Sequence, residues 1–165
     1  MNNAVVLGPQ RAGTRIVTKI LAKKTGKKYV DELSFKAHDE ETFMKILKEE
    51  NNVIVQAPGM SHLAHKLPEH TKVYYVIRNT KDILASQERI NWPNSENIRE
   101  KNKLLKEFPK KNHYVNSCEM KYACWEEQKK LIKNYEEIIY ESLSEEELFV
   151  NKNERKDFKW NQTKK

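Results

Sequence analysis

A loop close to the start of the chain has the spacing of a phosphate-binding turn. The apolar run Ala4–Gly8 ends in a glycine, four residues follow, and Gly13 precedes a helical pattern. A strand, a glycine turn and a helix N-terminus together present backbone N–H groups and the positive end of the helix dipole, which suits a phosphate. The alternative is a tight turn that binds nothing, and the two arginines in it, Arg11 and Arg15, argue against that alternative.

The side chains of this loop favour an anion that binds without magnesium. In nucleoside-triphosphate loops, a lysine after the second glycine reaches the terminal phosphates and the next Ser or Thr hydroxyl binds magnesium. Thr14 and Arg15 hold those positions here, and a guanidinium would repel a metal ion. Two apolar runs end in Pro58 and Arg78, so neither supplies a metal-binding aspartate. We therefore predict no metal requirement and exclude an ordinary kinase or ATPase.

Arg78 and Ser86 could hold a second phosphate. Arg78 closes a strand pattern, and Ser86 lies eight residues later in a helix pattern that Thr80 could cap. At about 1.5 Å per residue, Ser86 would stand about 9 Å along that helix, so reversal of the chain could bring its hydroxyl to the guanidinium. The alternative is an arginine paired with Asp82 and an exposed serine.

The elements that must position these residues alternate between short strands and helices. Strands are predicted at Ala4–Gly8, Lys28–Glu32, Val53–Ala57, Val73–Arg78 and Ile138–Tyr140. Helices are predicted at Thr14–Lys24, Asp39–Glu49, Thr80–Ile90, Ser95–Phe108 and Cys118–Tyr135. Because the strands are apolar enough to be buried on both faces, the sheet should be parallel. We predict an α/β fold in which helices flank a central parallel sheet of about five strands.

Length and composition are those of one folded domain. We expect a single domain over 1–165, with a basic tail from about 151; 38% of the residues are apolar. The excess of 31 Lys and Arg over 24 Asp and Glu favours an anionic ligand, nucleic acid or an anionic surface without choosing among them, and the alternative is a solvated, lysine-rich surface. No run of 18 apolar residues and no leader peptide are evident, so a cytoplasmic protein without a membrane span is expected. Cys118 and Cys124 should be free thiols, and His62 and His65 lack a third metal ligand.

The two anion motifs resemble those of the P-loop sulfotransferases, which use 3′-phosphoadenosine 5′-phosphosulfate (PAPS) as donor. The segment Arg11–Arg15 is similar to the family's 5′-phosphosulfate loop, and Gly8-Pro9-Gln10 precedes it as in several carbohydrate sulfotransferases. Arg78 and Ser86 resemble the family's 3′-phosphate segment, a strand, an arginine and a serine eight residues later. The segment Ile138–Leu143 is similar to a strand end near the family's C-terminus, and the tail resembles its nucleotide-closing segment.

The resemblance implies a P-loop-type three-layer fold, PAPS as donor and 3′-phosphoadenosine 5′-phosphate (PAP) as product. The implied donor-binding residues are Gln10, Arg11, Ala12, Gly13, Thr14, Arg15, Arg78, Ser86, Arg155 and Lys156. Arg11 stands where the family usually has a catalytic lysine, and it would stabilise charge on the leaving phosphate oxygen. Glu32 is the implied base of the carbohydrate type, and His62 is its rival because other branches use histidine.

The predicted function is sulfuryl transfer to a hydroxyl, with a carbohydrate as the expected acceptor. The alternatives are an atypical P-loop kinase and a non-catalytic module that binds nucleotide or RNA. We do not expect nucleic acid as a partner, because the basic residues show no aromatic-basic RNA-binding signature. The segment after Pro58 supplies no permanent cation, although many members of the family place a lysine near it. The chain is also short for the family, so most of the insertions that form an acceptor pocket should be missing.

Overall fold

The computed structural model describes residues 2–36 and 38–145, and in this part of the chain five strands form one sheet. The strands are β1 (Ala4–Leu7), β2 (Lys28–Asp31), β3 (Val53–Gln56), β4 (Lys72–Ile77) and β5 (Tyr135–Ile139). Their order is β2-β3-β1-β4-β5, and every neighbouring pair is parallel. The predicted α/β fold with a central parallel sheet is confirmed.

Within the described residues, five α-helices cover the two faces of the sheet. They are α1 (Thr14–Thr25), α2 (Glu40–Glu49), α3 (Thr80–Arg89), α4 (Asn94–Glu107) and α5 (Ser117–Gln128). Successive residues of β1 point to opposite faces: Val5 packs in a core with α2 and α5, whereas Val6 packs in a core with α1 and α3. Both cores are apolar, which explains why the central strands β1, β3 and β4 are rich in apolar residues, whereas the edge strands β2 and β5 include exposed polar residues. The result is the predicted three-layer arrangement.

Two local predictions were wrong. The helix predicted over Cys118–Tyr135 ends at Gln128, because Ile132 is extended and Tyr135 pairs with Val73 as the start of β5. Thr80 does not cap α3; the side chain of Asn79 accepts the Lys81 N–H at 2.9 Å. Asparagine is among the best N-cap residues because its short side chain reaches an unpaired N–H of the first turn.

The residues that directly follow the five strands all lie at the same edge of the sheet. The carboxyl ends of the five strands are followed by Gly8, Glu32, Ala57, Arg78 and Tyr140. Parallel strands form ligand sites beyond their carboxyl ends, in the crevice where the strand order reverses. The glycine loop, the candidate base and the second arginine motif therefore meet, although they are far apart in the sequence.

Candidate active site

The glycine loop has the backbone conformation of a tight turn onto a helix N-terminus. Gly8, Arg11 and Gly13 have positive φ values of 143°, 71° and 101°, and the Ala12 N–H donates to the Pro9 carbonyl at 3.1 Å. A Cβ on Gly13 would clash with the ring of Tyr140, which lies just after β5. The second glycine is therefore required both by its φ and by the aromatic ring packed against it.

The two anion motifs are in direct contact. The Arg11 Nε donates to Ser86 Oγ at 2.9 Å, and Arg78 Nη1 donates to the Arg11 carbonyl at 2.7 Å. Arg89 Nη2 also reaches Ser86 Oγ, at 3.2 Å. Ser86 is only 5% exposed, so the alternative of an exposed helical serine is wrong. These contacts bring three guanidinium groups to one hydroxyl and one loop carbonyl.

Arg78 is held by an aromatic ring and keeps one donor unused. Its guanidinium carbon lies 4.2 Å from the centre of the Tyr140 ring, a distance at which cation and ring attract each other. The buried Nε of Arg78 has no hydrogen-bond partner within the described residues. A buried N–H without an acceptor is costly, so this atom is suited to an incoming anion.

Other predicted loop residues point in different directions. Thr14 is buried, and its hydroxyl accepts from Gln56 Nε2 at 2.9 Å. The Arg15 side chain is 45% exposed and donates to Asp31 Oδ2 at 3.1 Å, at the last residue of β2. Gln10 turns its side chain inward, to Glu100 and Lys121. The structure thus groups Arg11, Arg78 and Ser86, whereas Arg15 pairs with a neighbouring strand.

Glu32 begins a short 3-10 turn directly after β2 and is partly buried. Burial raises the pKa of its carboxyl to about 7; the Gly59 N–H, 3.5 Å from Oε2, opposes this shift and the charge of Glu100 adds to it. A carboxyl with a pKa near neutrality can exist in both protonation states at physiological pH. It therefore has the acid-base property that a proton acceptor needs.

His62 lies in the 3-10 segment Pro58–Lys66 and is 4% exposed. Its Nε2 is 2.5 Å from Glu40 Oε1, at the start of α2. Burial lowers the pKa of the ring, although Glu40 opposes that shift. His62 thus lies in the same segment as Gly59, whose N–H faces Glu32.

A buried cluster of charged residues was missed by the sequence reasoning. Glu100 and Lys121 are 1% and 2% exposed, and their side chains meet at 2.7 Å. Lys103 lies 2.8 Å from the other oxygen of Glu100. Burial alone would raise the pKa of Glu100, but the two lysines hold it down to about 2. The available signal was the spacing in α4, where Glu100 precedes the buried Leu104 by one helical turn.

Two open clefts adjoin these residues. One, of about 550 Å³, is lined by Arg78, Thr80, Tyr122, Glu141 and their neighbours. The other, of about 750 Å³, runs between the start of α2 and the length of α4. We call the latter the α2–α4 groove; its lining residues are His38, Asp39, Glu40, Glu41, Ser95, Ile98, Arg99, Asn102, Lys103 and Lys106. Two of these lining residues contact the buried groups described above: Lys103 binds Glu100, and Glu40 binds His62.

The comparisons with known proteins agree with this geometry. A family model described as a sulfotransferase domain matches residues 2–148. The chain belongs to the sulfotransferase domain family. The crystal structure of mouse sulfotransferase SULT7A1 complexed with PAP aligns with this sulfotransferase domain at a TM-score of 0.55 and 16% identity, over 88% of this chain and 53% of the other. The chain thus spans about half the length of that sulfotransferase.

A looser structural likeness is to shikimate kinase from Acinetobacter baumannii in complex with shikimate, at a TM-score of 0.42 and 14% identity. That alignment covers 82% of this chain and 83% of the kinase. No curated protein sequence matches the chain.

Three further expectations concern metal, membrane and cysteines. Over residues 2–36 and 38–145, no three His, Cys, Asp or Glu side chains lie together as a metal site would require, and no helix is long and apolar enough to cross a membrane. Cys118 and Cys124 are free and buried, as predicted. The tail from about 151, with Arg155 and Lys156, lies outside the described residues, and the single domain over 1–165 stays a prediction.

Proposed function

We propose that this sulfotransferase domain moves a sulfuryl group from PAPS to an acceptor hydroxyl, with Arg11 at the leaving phosphate and Glu32 as the base. The observation that carries this proposal is the contact between the two anion motifs, in which Arg11 binds Ser86 and Arg78 binds the Arg11 carbonyl. A donor with phosphates at both its 5′ and 3′ positions needs two anion sites on neighbouring elements. The glycine loop and the α3 segment supply them.

The donor would lie along the carboxyl edge of β1 and β4. The loop amides, Thr14 and Arg11 would bind the 5′-phosphosulfate. The Arg78 Nε, which has no hydrogen-bond partner within the described residues, would donate to an oxygen of the 3′-phosphate. The similar mouse protein is a PAP complex, which is consistent with this donor. Gln10, Ala12, Gly13, Arg15, Arg155 and Lys156 complete the proposed donor-binding set.

The transfer step requires one base and one fixed cation. The acceptor oxygen attacks sulfur as its proton passes to the Glu32 carboxylate, a new S–O bond forms, and the bond to the 5′-phosphate oxygen breaks. PAP leaves with the electron pair of that bond. Because negative charge develops on the leaving oxygen, the Arg11 guanidinium would stabilise the transition state more than the ground state.

Glu32 is favoured over His62 as the base for two reasons. The pKa of Glu32 is raised to about 7, so a useful fraction is ionised at neutral pH. The Nε2 of His62 already contacts Glu40 at 2.5 Å, which ties up one of its two ring nitrogens. A carbohydrate acceptor is supported by the α2–α4 groove, whose charged, amide and hydroxyl groups suit a ligand with many hydroxyls.

The proposal is tested by calorimetric titration without magnesium. PAP should bind with saturation, and AMP, which lacks the 3′-phosphate, should bind at least about tenfold more weakly if one charge-assisted hydrogen bond is lost. Such a result would justify an activity assay with PAPS and a panel of carbohydrates. Binding of magnesium-ADP alone would contradict the proposal and favour a kinase, whereas salt-sensitive binding of RNA alone would favour the non-catalytic module.

Arg78→Ala should weaken PAP binding about 10- to 100-fold and AMP binding much less, because the guanidinium would bind the 3′-phosphate directly and affects the 5′-phosphosulfate loop only through its bond to the Arg11 carbonyl. Titration of both nucleotides against the variant measures this difference. Arg99→Ala is the matched control, since Arg99 is 53% exposed and pairs with Glu96 on α4. Equal weakening of PAP binding and AMP binding would contradict the assignment of Arg78 to the 3′-phosphate.

A further inference from the structure

A single atom, the Nζ of Lys121, contacts both sides of the proposed site. It donates to Gln10 Oε1 at 2.8 Å, to the Pro58 carbonyl at 2.9 Å and to Glu100 Oε1 at 2.7 Å. A lysine ammonium has three donors and no acceptor, so all three donors are used. Gln10 belongs to the glycine loop, whereas Pro58 starts the segment that faces Glu32.

The loop side of this arrangement is fixed at each polar end of Gln10. Its Nε2 donates to Glu100 Oε1 at 2.6 Å, its Oε1 accepts from Lys121, and its backbone carbonyl accepts from Gln87 Nε2 at 3.0 Å. A side chain with both amide ends bonded to buried charges cannot rotate without breaking a charge-assisted hydrogen bond. Gln10 therefore holds its part of the loop against α4 and α5.

The base side is fixed through the backbone of the Pro58–Gly59 turn. Lys121 binds the Pro58 carbonyl, and Lys103 Nζ binds the Gly59 carbonyl at 2.8 Å. The Gly59 N–H in turn points to Glu32 Oε2 at 3.5 Å. The residues after Pro58 include no permanent cation. Positive charge reaches this turn instead from Lys103 of α4 and Lys121 of α5, which are distant in the sequence.

We propose that Glu100 and Lys121 form a positioning pair, which fixes the donor loop relative to the turn that faces Glu32. This inference rests on the proposed function, because the loop and the turn carry the donor and the base. Net stabilisation explains a buried ion pair poorly, since well-packed apolar residues often serve stability equally well or better. A better-attested role of buried ion pairs is to favour one arrangement of the packed elements over the alternatives.

The charged groups around Glu32 give this pair a second, measurable effect. Glu32 is faced by Glu100 from α4, Lys121 from α5, Asp31 from β2 and the Gly59 N–H. Loss of the Lys121 charge should raise the pKa of Glu32, and loss of the Glu100 charge should lower it. Because Arg15 binds Asp31, that acid is compensated in every variant described below.

The decisive variant is the double substitution K121M/E100L, which removes both charges of the pair together and so leaves the net charge of the cluster unchanged, with Lys103 still bound to the Gly59 carbonyl. We expect this protein to fold, to lose about 100-fold in kcat through misplacement of the loop, and to exchange the amides of Gly8 and residues 10–13 about tenfold faster than wild type. The single variants K121M and E100Q should shift the midpoint of the kcat/KM pH profile up and down, respectively. K129M is the matched control, because Lys129 is likewise an ion-paired lysine, bonded to Glu126 and Glu137, but contacts neither loop nor turn.

The outcomes separate this inference from the proposed function. A folded K121M/E100L protein with wild-type kcat and wild-type amide exchange would overturn the positioning role while sulfotransfer stands. If the wild-type protein transfers no sulfuryl group, the exchange measurement still decides whether the pair holds the loop. Failure of the double variant to fold would also refute the inference as stated, since it would give the pair a role in stability.

Discussion

Replacement of Glu32 by glutamine should reduce kcat for sulfuryl transfer by about 10²- to 10⁴-fold, the usual contribution of a general base. PAP binding should be nearly unchanged, because the proposed anion contacts lie on Arg11, Arg78 and Ser86. Steady-state kinetics with PAPS and calorimetry with PAP measure the two effects. Glu119→Gln is the matched control, since Glu119 is an exposed acid in the first turn of α5, outside the α2–α4 groove.

The pH dependence follows from the raised pKa of Glu32. A base must be ionised to accept a proton, so kcat/KM of the wild-type protein should rise with pH through about 7 and then level off. If His62 were the base, the rise would instead lie below its ordinary value of 6.5, because burial lowers its pKa. If the midpoint of the kcat/KM pH profile lies below 6.5 and the His62→Gln variant loses this pH dependence, the base is the histidine.

The Glu32→Gln substitution should also stabilise the protein at alkaline pH. The folded state holds a proton on Glu32 between about 4.5 and about 7, where the unfolded chain has lost it, so the free energy of unfolding falls as pH rises through that window. Above pH 7 the ionised, partly buried carboxylate costs about 2 to 3 kcal/mol, which glutamine does not incur. Urea unfolding at pH 5 and pH 8.5 should show an advantage for Glu32→Gln at the higher pH only.

The second large effect is expected at Arg11. Arg11→Ala should lower kcat about 10²- to 10³-fold, as removal of one transition-state donor does in other enzymes, while PAP binding is partly kept by the loop amides and Arg78. Arg11→Lys should recover part of kcat, because an ammonium restores the charge but not the geometry of the fork. Single-turnover kinetics with bound PAPS separate this chemical effect from donor binding.

The contact between Arg11 and Ser86 gives this prediction an internal check. If the serine orients the guanidinium, Ser86→Ala should also reduce kcat, and the double variant should lose less than the product of the two single losses. Lys48→Ala serves as the control, since Lys48 is an exposed cation in the last turn of α2 and does not line the α2–α4 groove. Unchanged turnover in Arg11→Ala would reject the assignment of the catalytic cation.

The sequence predicted those features that depend on local pattern. Apolar runs gave β1 to β4 to within one residue at each end but only the last two residues of β5, and glycine spacing gave the loop from Gly8 to Gly13, because both depend on neighbouring residues alone. The partner of Arg15 and the buried meeting of Glu100 with Lys121 depend on the packing of α4 and α5 against the sheet edge. Neither residue type nor spacing distinguishes Lys121 from the many lysines that stay on the surface.

The contacts that already hold Gln10 and Arg11 have a consequence for the kinetics of donor capture. The side chains of both residues are bonded to other elements of the protein, so binding need not immobilise a mobile loop and little conformational entropy should be lost. Association with PAP should then be fast, single-exponential and sensitive to ionic strength, as expected for an anion drawn to a ready-made basic site. Differences in affinity among the variants should appear mainly in how long the nucleotide stays bound.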